Sequence, residues 1–386
     1  MKTVWLLIAV VLVALNLRPA IASVPPLADS IAADYGLSAA AVGLLTTLPV
    51  LCMGAFAPLG ALLGRRFGTE RVLAATLVLI AIGTALRAIH AFWMLYVATT
   101  LLGVGIAVAG ALLPPLVRAR FPERIGPVTG LYTTGLIGGA LLGASLTAGL
   151  GLSWPLALSF WFIPAVVALV VWVAVNGTGV PRATDSAAPG APVSNGQPWR
   201  SRRAWYATVF MGGQSLLYYA SLAWLAARYT ALGSSAAQAG LLLGLFSATQ
   251  LVSALVLPLL AHRYGDPRPW IAASLATTGV ALALIAYVPG AVPWLWASLL
   301  GLGMGGQFAL ALTVLSTLGA TPRESAAATG MALFVGYLLA AAGPVVAGAL
   351  RDATGGYVVP FAVLAVFSVP VLLCGVASGR SAGKDL

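Results

Sequence analysis

The sequence predicts an all-α, polytopic membrane protein with twelve transmembrane helices in two pseudo-symmetric six-helix bundles. Three observations predict this fold. The 386 residues are 60% hydrophobic and 8% charged, with a mean hydropathy of +1.00, whereas an ordinary soluble domain is about 25% charged. Long apolar runs alternate with short polar breaks, and the first six runs resemble the last six.

The apolar runs have the length of about 20 residues that a helix needs to cross a bilayer. They lie near residues 4–28, 38–63, 70–89, 91–117, 126–150, 153–176, 204–229, 236–261, 269–288, 292–317, 325–350 and 356–378. The first run, with Lys2 before it and Ala20-Ile21-Ala22 within it, could be a signal peptide. We interpret it as an uncleaved span, because it exceeds the about 7 to 15 apolar residues of a signal peptide.

A polar segment divides the chain. Residues 177–203 are rich in Pro, Gly, Ser and Ala and have little apolar periodicity, which is typical of a flexible linker. We therefore predict an N-terminal six-helix bundle at 1–176, a cytoplasmic linker at 177–203 and a C-terminal six-helix bundle at 204–386.

The net charge of +11 is explained by topology. Of the 20 basic residues, 16 fall at one end of the predicted spans, Arg87, Arg228 and Arg351 fall at the other end, and Arg18 lies within the first span. The positive-inside rule then places both termini in the cytoplasm of a protein of the plasma membrane. We expect contact with membrane lipid but not with nucleic acid, and we expect a monomer.

The two halves repeat in sequence. Ser38–Leu45 matches Ser235–Leu242, and Arg66-Phe-Gly68 matches Arg263-Tyr-Gly265 at the same offset; further matches follow in the same order. Parallel six-span repeats are typical of a transporter architecture in which the substrate is held between the halves near the bilayer midplane.

Arg18 is the main candidate for a solute contact. It lies about 21 Å along the first run if that run is helical, close to the middle of an apolar core about 30 Å thick. A guanidinium there costs about 2.5 to more than 10 kcal/mol, so it normally faces protein or a water-filled cavity. All nine acidic residues fall at span ends, in loops or in tails. We hypothesise that Arg18 binds an anionic substrate; the alternative is an arginine satisfied by backbone carbonyls and by amides such as that of Asn16.

The repeat predicts the contribution of the second half. Ser215 corresponds to Arg18, so charge in one half faces hydrogen-bonding and aromatic groups in the other. Pro19 is expected to bend the first span and free a backbone carbonyl. Besides Arg18, the predicted substrate-binding residues are Gln214, Tyr218, Tyr219, Gln307, Asn16, Tyr132 and Tyr337.

Other functional classes find little support. We predict no enzyme, no catalytic residue, no metal site and no cofactor, because acid pairs, nucleotide-binding loops and Cys/His clusters are missing from the sequence. A repeat with discrete polar groups favours a carrier over a channel. Since no Asp or Glu is expected within a span, we favour facilitated transport or exchange over coupling through an intramembrane carboxylate.

Two loops carry a family resemblance. Ala61-Leu-Leu-Gly-Arg-Arg-Phe-Gly68 and Pro258-Leu-Leu-Ala-His-Arg-Tyr-Gly265 resemble the G-x-x-x-D-R-x-G loop of the major facilitator superfamily. Arg65 and His262 stand where that family has an acidic residue. The residues that the resemblance assigns to gating loops are Arg65, Arg66, Gly68, Arg263 and Gly265.

Longer motifs resemble the cyanate and 2-nitroimidazole transporter branch of that superfamily. They include Asn16-Leu-Arg-Pro-Ala-Ile-Ala-Ser-Val24, Gly43–Val50, Gly213–Tyr219 and Asp352-Ala-Thr-Gly355. The resemblance implies the major facilitator fold, alternating access and a small, often anionic or heteroaromatic solute. We expect a secondary active or facilitative transporter for a cyanate-like, carboxylate or nitro-heteroaromatic solute. A proton-coupled exporter of drugs or nitroimidazoles remains the alternative.

Overall fold

The computed structural model describes residues 2–177, 197–319 and 322–379, and these ranges contain helices and no strands. The N-terminal part comprises α1 (Lys2–Asn16), α2 (Pro19–Ala22), α3 (Ala28–Tyr35), α4 (Ala39–Phe67), α5 (Thr69–Ala85), α6 (Phe92–Arg120), α7 (Ile125–Leu146), α8 (Trp154–Ser159) and α9 (Phe162–Asn176). The C-terminal part comprises α10 (Gln197–Arg200), α11 (Arg202–Thr230), α12 (Ala236–Tyr264), α13 (Arg268–Tyr287), α14 (Pro293–Gly305), α15 (Gln307–Ser316), α16 (Pro322–Thr354) and α17 (Val358–Ser378). Short 3₁₀ turns lie at Pro25–Leu27, Leu86–Ala88 and Thr147–Leu150. The all-α prediction is confirmed.

Among the described residues, 11 helical segments are long and apolar enough to cross a membrane. The one predicted span that is not among these 11 is the seventh, α11, which has 29 residues but a lower hydropathy than the others. Its polar side chains, such as Gln214, Ser221 and Arg228, account for the difference. The first span runs over Thr3–Tyr35 and is therefore longer than predicted.

The described helices form two compact units. One contains residues 2–177 with Leu225–Gly244, and the other contains 197–224 with 245–319 and 322–379. The predicted bundle boundaries stay a prediction, and most of the predicted linker, 178–196, lies outside the described residues. The hairpin Leu225–Gly244, which joins α11 to α12, packs with the N-terminal helices although it belongs to the C-terminal repeat.

Within this first unit the hairpin is held by a hydrogen bond and by close packing. The hydroxyl of Thr230 donates to the carboxylate of Asp29 at the start of α3. A methyl group on Gly240 would lie 2.7 Å from the carbonyl oxygen of Ala144 in α7. The absence of a side chain at Gly240 therefore lets α12 approach the backbone of α7.

Glycines of the fourth predicted span pack it against the second and third spans. In α6, a methyl group on Gly103 would lie 2.9 Å from the Cα of Pro49 in α4. A methyl group on Gly105 would lie 2.9 Å from the Cγ1 of Ile80 in α5. The small residues thus let three helices of the first unit approach each other closely.

The second unit uses the corresponding positions of the repeat. In α14, a methyl group on Gly301 would overlap the carbonyl oxygen of Phe246 in α12. One on Gly303 would lie 2.8 Å from the backbone nitrogen of Thr278 in α13. The sequence repeat is therefore also a repeat of packing contacts, with glycine required in both halves at the same two places.

Candidate functional site

Arg18 lies at a break in the first span, between α1 and α2. Pro19 has no backbone N–H and disfavours helical geometry in the residue before it. Accordingly, α1 ends at Asn16, and Arg18 belongs to neither helix, although its φ of −117° and ψ of −30° stay in the right-handed helical region. Pro19 begins α2 as its first residue, where a missing N–H is tolerated. The local bend that Pro19 predicts is therefore present at Arg18.

The burial pattern around the break singles out Arg18. Every residue from 16 to 28 is buried except Arg18, which is partly exposed. Leu17 before it and Ala20 two residues after it are 3% and 2% exposed. The break thus buries its apolar residues and leaves Arg18 as the one partly exposed residue between positions 16 and 28.

Helix α7 approaches the break through two glycines. Pro19 cannot donate to the carbonyl of Leu15, and a methyl group on Gly139 would overlap that carbonyl oxygen. A methyl group on Gly143 would lie 2.8 Å from the Cα of Pro19. The backbone before and after Arg18 is therefore fixed against a glycine surface of α7.

Asn16, predicted as a solute contact, is engaged in packing contacts. Its side chain is 3% exposed. The amide nitrogen donates to the carbonyl of Leu12 at 2.8 Å and to that of Pro164 in α9 at 3.1 Å. These bonds tie the end of α1 to α9, and a direct solute contact by Asn16 stays a prediction.

The candidate residues of the second unit cluster on α11. Gln214 is 3% exposed, and its amide nitrogen donates to the hydroxyl of Ser215 at 2.6 Å and to the carbonyl of Met211 at 3.0 Å. The rings of Tyr218 and Tyr219 meet edge to face, with centroids 4.9 Å apart. The structure thus places the predicted amide, hydroxyl and phenol groups within two turns of one helix, α11.

Phe246 belongs to this aromatic cluster, although the sequence analysis did not identify it. Its ring in α12 stacks on Tyr218 with centroids 6.0 Å apart and an interplanar angle of 24°. The repeat pairs Phe246 with Pro49, a packing position, so the pattern did not distinguish it as an aromatic contact. The clue in the sequence is that α12 follows α11 directly and must pack beside it.

Gln307 lies at the break between α14 and α15 and is 0% exposed. Its amide nitrogen donates to the hydroxyl of Thr278 and to the carbonyl of Gly303, both at 2.9 Å. Its amide oxygen is buried without a hydrogen-bond partner. A solute contact by Gln307 stays a prediction, and this geometry favours a packing role between α13 and α14.

Substitution of Gln307 by methionine is expected to leave the half-saturation concentration of the transported solute within about twofold of wild type. The change removes two hydrogen bonds of about 1 kcal/mol each, but it also removes a buried oxygen whose unmet bond costs about 1–3 kcal/mol. Thermal unfolding of the purified variant should therefore occur at a similar or higher temperature. Gln214→Met is the matched control, and we expect it to raise the half-saturation concentration. A tenfold rise in the half-saturation concentration for Gln307→Met would indicate instead that the amide of Gln307 contacts the solute.

Tyr132 and Tyr337 are both half-buried, on α7 and α16 respectively. Each lies on a helix that contacts the first predicted span of its own half through a glycine. Gly143 of α7 meets Pro19, and a methyl group on Gly343 of α16 would lie 2.8 Å from the carbonyl oxygen of Leu216 in α11. Their predicted solute contact stays a prediction.

The predicted gating loops end α4 and α12. Gly68 has φ of 88° and Gly265 has φ of 72°, values that favour glycine because other side chains clash there. Arg65, Arg66 and Arg263 are exposed. Beside the first loop, Arg120 at the end of α6 forms an ion pair with Glu70 at the start of α5. An ion pair is therefore present in this region even though Arg65 occupies the acidic position, and the gating role stays a prediction.

Comparison with known proteins places these features in context. A family model described as Major Facilitator Superfamily matches residues 6–230 and 214–380. The 2-nitroimidazole transporter of Escherichia coli (strain K12) is 34% identical over 378 residues, which are 97% of this chain and 95% of that protein. The cyanate transport protein CynX of the same organism is 33% identical over 372 residues, 95% of each chain.

Solved structures show the same fold at lower sequence identity. The crystal structure of the nucleoside transporter NupG superposes with a TM-score of 0.79 and covers 97% of this chain and 100% of that one. The two sequences are 13% identical. This likeness shows the arrangement of helices and carries no information about the solute.

Proposed function

The chain belongs to the Major Facilitator Superfamily and is a transporter rather than an enzyme, and we propose that it carries a small anion by alternating access, with Arg18 as the contact for the anion's charge. Family membership confirms the resemblance predicted from the sequence, and it implies a small-molecule solute. The solutes we propose are cyanate-like inorganic anions, small carboxylates or nitro-heteroaromatic compounds. Relatives named for cyanate and for 2-nitroimidazole support these classes.

The observation that carries the proposal is the position of Arg18. It lies midway along the span Thr3–Tyr35, at a helix break, and it alone is not buried between residues 16 and 28. A guanidinium removed from bulk water favours bidentate contact with a carboxylate or a similar anion. A solute that brings the negative charge would therefore be bound more strongly than its neutral analogue.

The distribution of carboxylates supports the same conclusion. The described acidic residues lie at helix ends or in the loops between helices: Asp29, Asp34, Glu70, Glu123, Asp266, Glu324 and Asp352. Coupling through a carboxylate in the middle of a span therefore has no candidate in the described part of the chain. We propose facilitated transport or anion exchange.

The remaining contacts are assigned to α11. Gln214, Tyr218 and Tyr219 supply an amide, a hydroxyl-bearing ring and a second ring, which suit a planar solute with hydrogen-bonding atoms. The repeat supports this assignment, since it aligns α11 with the first span. We further propose that the protein is a monomer in the plasma membrane with both termini in the cytoplasm, as the distribution of basic residues indicates.

A proton-coupled exporter of nitroimidazoles is the second candidate, and the full-length similarity to a 2-nitroimidazole transporter favours it. The two candidates differ in their dependence on a proton gradient. Anion exchange needs an anion on the opposite side of the membrane, whereas proton-coupled export needs a pH difference.

Counterflow in proteoliposomes tests the proposed function. Vesicles loaded with unlabelled cyanate, nitrate or benzoate should accumulate the same labelled anion transiently at equal pH on both sides. Trans-acceleration is expected of a carrier and not of a channel. Accumulation of 2-nitroimidazole that requires a pH difference, with no counterflow of any anion, would support the second candidate and refute the first.

A further inference from the structure

A second arginine, Arg87, is buried beside the broken segment of the first span. It lies in the 3₁₀ turn Leu86–Ala88 between α5 and α6, and it is 1% exposed. The apolar runs of the sequence predict that it lies at the outer end of a span. Arg87 lies within the mostly apolar stretch Ile82–Ile89. This position is the feature of the sequence that indicates a buried side chain.

The hydrogen bonds of Arg87 reach the segment that carries Arg18. Its Nη1 donates to the carbonyl of Ala20 at 2.6 Å, and its Nη2 donates to the hydroxyl of Thr99 in α6 at 2.9 Å. Its Nε is buried without a hydrogen-bond partner. The four ion pairs found among the described residues do not include Arg87.

The break explains why the carbonyl of Ala20 needs a donor. In a continuous helix it would accept from the backbone N–H of Val24. Here that N–H donates to the carbonyl of Ile21, and two prolines follow at 25 and 26. A buried carbonyl without a partner is unfavourable, and Arg87 satisfies it.

Stability alone does not account for an arginine at this place. A fully buried guanidinium without a carboxylate loses its hydration, and this cost offsets what an apolar side chain of similar volume would lose by leaving the carbonyl of Ala20 without a donor. What an apolar side chain cannot do is hold the carbonyl of Ala20. Ala20 is two residues from Arg18, and the backbone before and after Arg18 packs against Gly139 and Gly143 of α7.

We propose that Arg87 is a positioning residue for the anion site: it clamps α2 through Ala20, so that the backbone of Arg18 is held where its guanidinium meets the solute. This inference rests on the proposed role of Arg18. It adds a second arginine whose effect on the anion passes through the first. The outcomes for affinity, for stability and for local opening of the segment therefore differ from those of a residue that only supports the fold.

The test compares Arg87→Met with wild type by hydrogen–deuterium exchange and thermal unfolding of the full-length protein without ligand. We expect faster exchange in the peptide spanning residues 16–28, with an unfolding temperature close to that of wild type. Unchanged exchange in this peptide, or a lowered unfolding temperature as the main effect, would overturn the proposal. Arg71→Met, at an exposed arginine of α5, is the control and should change neither quantity.

A transport arm shows whether Arg87 acts through Arg18. With labelled cyanate as the probe, Arg87→Met should raise the half-saturation concentration by about tenfold or more, as small misplacements of a binding group do. In the Arg18→Lys background, where uptake is weaker but still saturable, Arg87→Met should raise the half-saturation concentration by a much smaller factor. Arg87→Lys keeps the charge and can donate to one acceptor. Its half-saturation concentration should lie between those of wild type and Arg87→Met. Equal effects in both backgrounds would overturn the positioning role, whereas unimpaired cyanate transport by Arg18→Gln alone would refute the proposed function instead.

Discussion

Substitution of Arg18 by glutamine is expected to abolish saturable uptake of the anionic solute at matched protein levels. Removing one partner of a desolvated, hydrogen-bonded charge pair costs about 2–5 kcal/mol, which corresponds to a loss of affinity of roughly 30- to 5,000-fold. Glutamine keeps part of the volume and a hydrogen-bond donor, so the effect isolates the charge. The measurement is the initial rate of labelled anion uptake into proteoliposomes over a range of concentrations.

Two further variants control this result. Arg71→Gln removes the same charge from an exposed position on α5 and should leave uptake unchanged. Arg18→Lys keeps the charge but loses the bidentate geometry of the guanidinium, so we expect weaker yet measurable uptake. Wild-type kinetics in Arg18→Gln would show that Arg18 is satisfied by the protein itself and does not bind the solute.

Replacement of Gly139 by alanine is expected to lower both stability and transport. The new methyl group would overlap the carbonyl oxygen of Leu15, and because that atom belongs to the backbone, α1 and α7 must separate. Such overpacking costs about 1–3 kcal/mol or more, which exceeds the about 1 kcal/mol that alanine gains over glycine in a helix. The thermal unfolding temperature should fall by several degrees, and the displaced break should raise the half-saturation concentration of the anion.

The adjacent glycine supplies a matched control. A methyl group on Gly138 would meet no atom within 4 Å, so Gly138→Ala should be neutral or slightly stabilising through helix propensity. Both substitutions add one methyl group, at consecutive residues of the same helix. Equal effects at the two positions would show that α7 does not hold the break by close packing.

Much of the architecture could be predicted because it depends on patterns that are local in the sequence. Run length and hydropathy identify the spans, and the repeat identifies corresponding positions. The correspondence extends to packing. Gly103 packs against Pro49 in the second span of its half, and Gly301 packs against Phe246, the matching residue in the second span of the other half. Pro19 predicted the break at Arg18 because proline removes a helical hydrogen bond whatever surrounds it.

The features that could not be predicted depend on which elements pack together. Gln307 is polar and lies midway along a predicted span, which suggested a solute contact, yet Thr278 and Gly303 take up its amide hydrogens. Arg87 was placed at an outer end by counting residues, whereas the turn at 86–88 folds it inward against Ala20. Hydropathy gives the depth of a residue along its helix but not the side of the helix that it faces.

The hairpin Leu225–Gly244 shows the same limit at a larger scale. Its sequence belongs to the second half of the repeat, and sequence similarity alone groups it with that half. In the structure it packs with the first unit, through Thr230 and Gly240 among others. A repeat specifies which helices are equivalent, but not which contacts a connecting segment makes.

The most direct test of the central role of Arg18 is a binding cycle that changes the charge of the protein and of the ligand separately. The dissociation constants of benzoate and of its neutral analogue benzamide would be measured by calorimetry with wild-type protein and with Arg18→Gln. We expect wild type to prefer benzoate and the variant to lose that preference, with a coupling of at least about 1.4 kcal/mol, or tenfold. A preference for benzoate that persists in Arg18→Gln would contradict the assignment of Arg18 as the contact for the anion's charge.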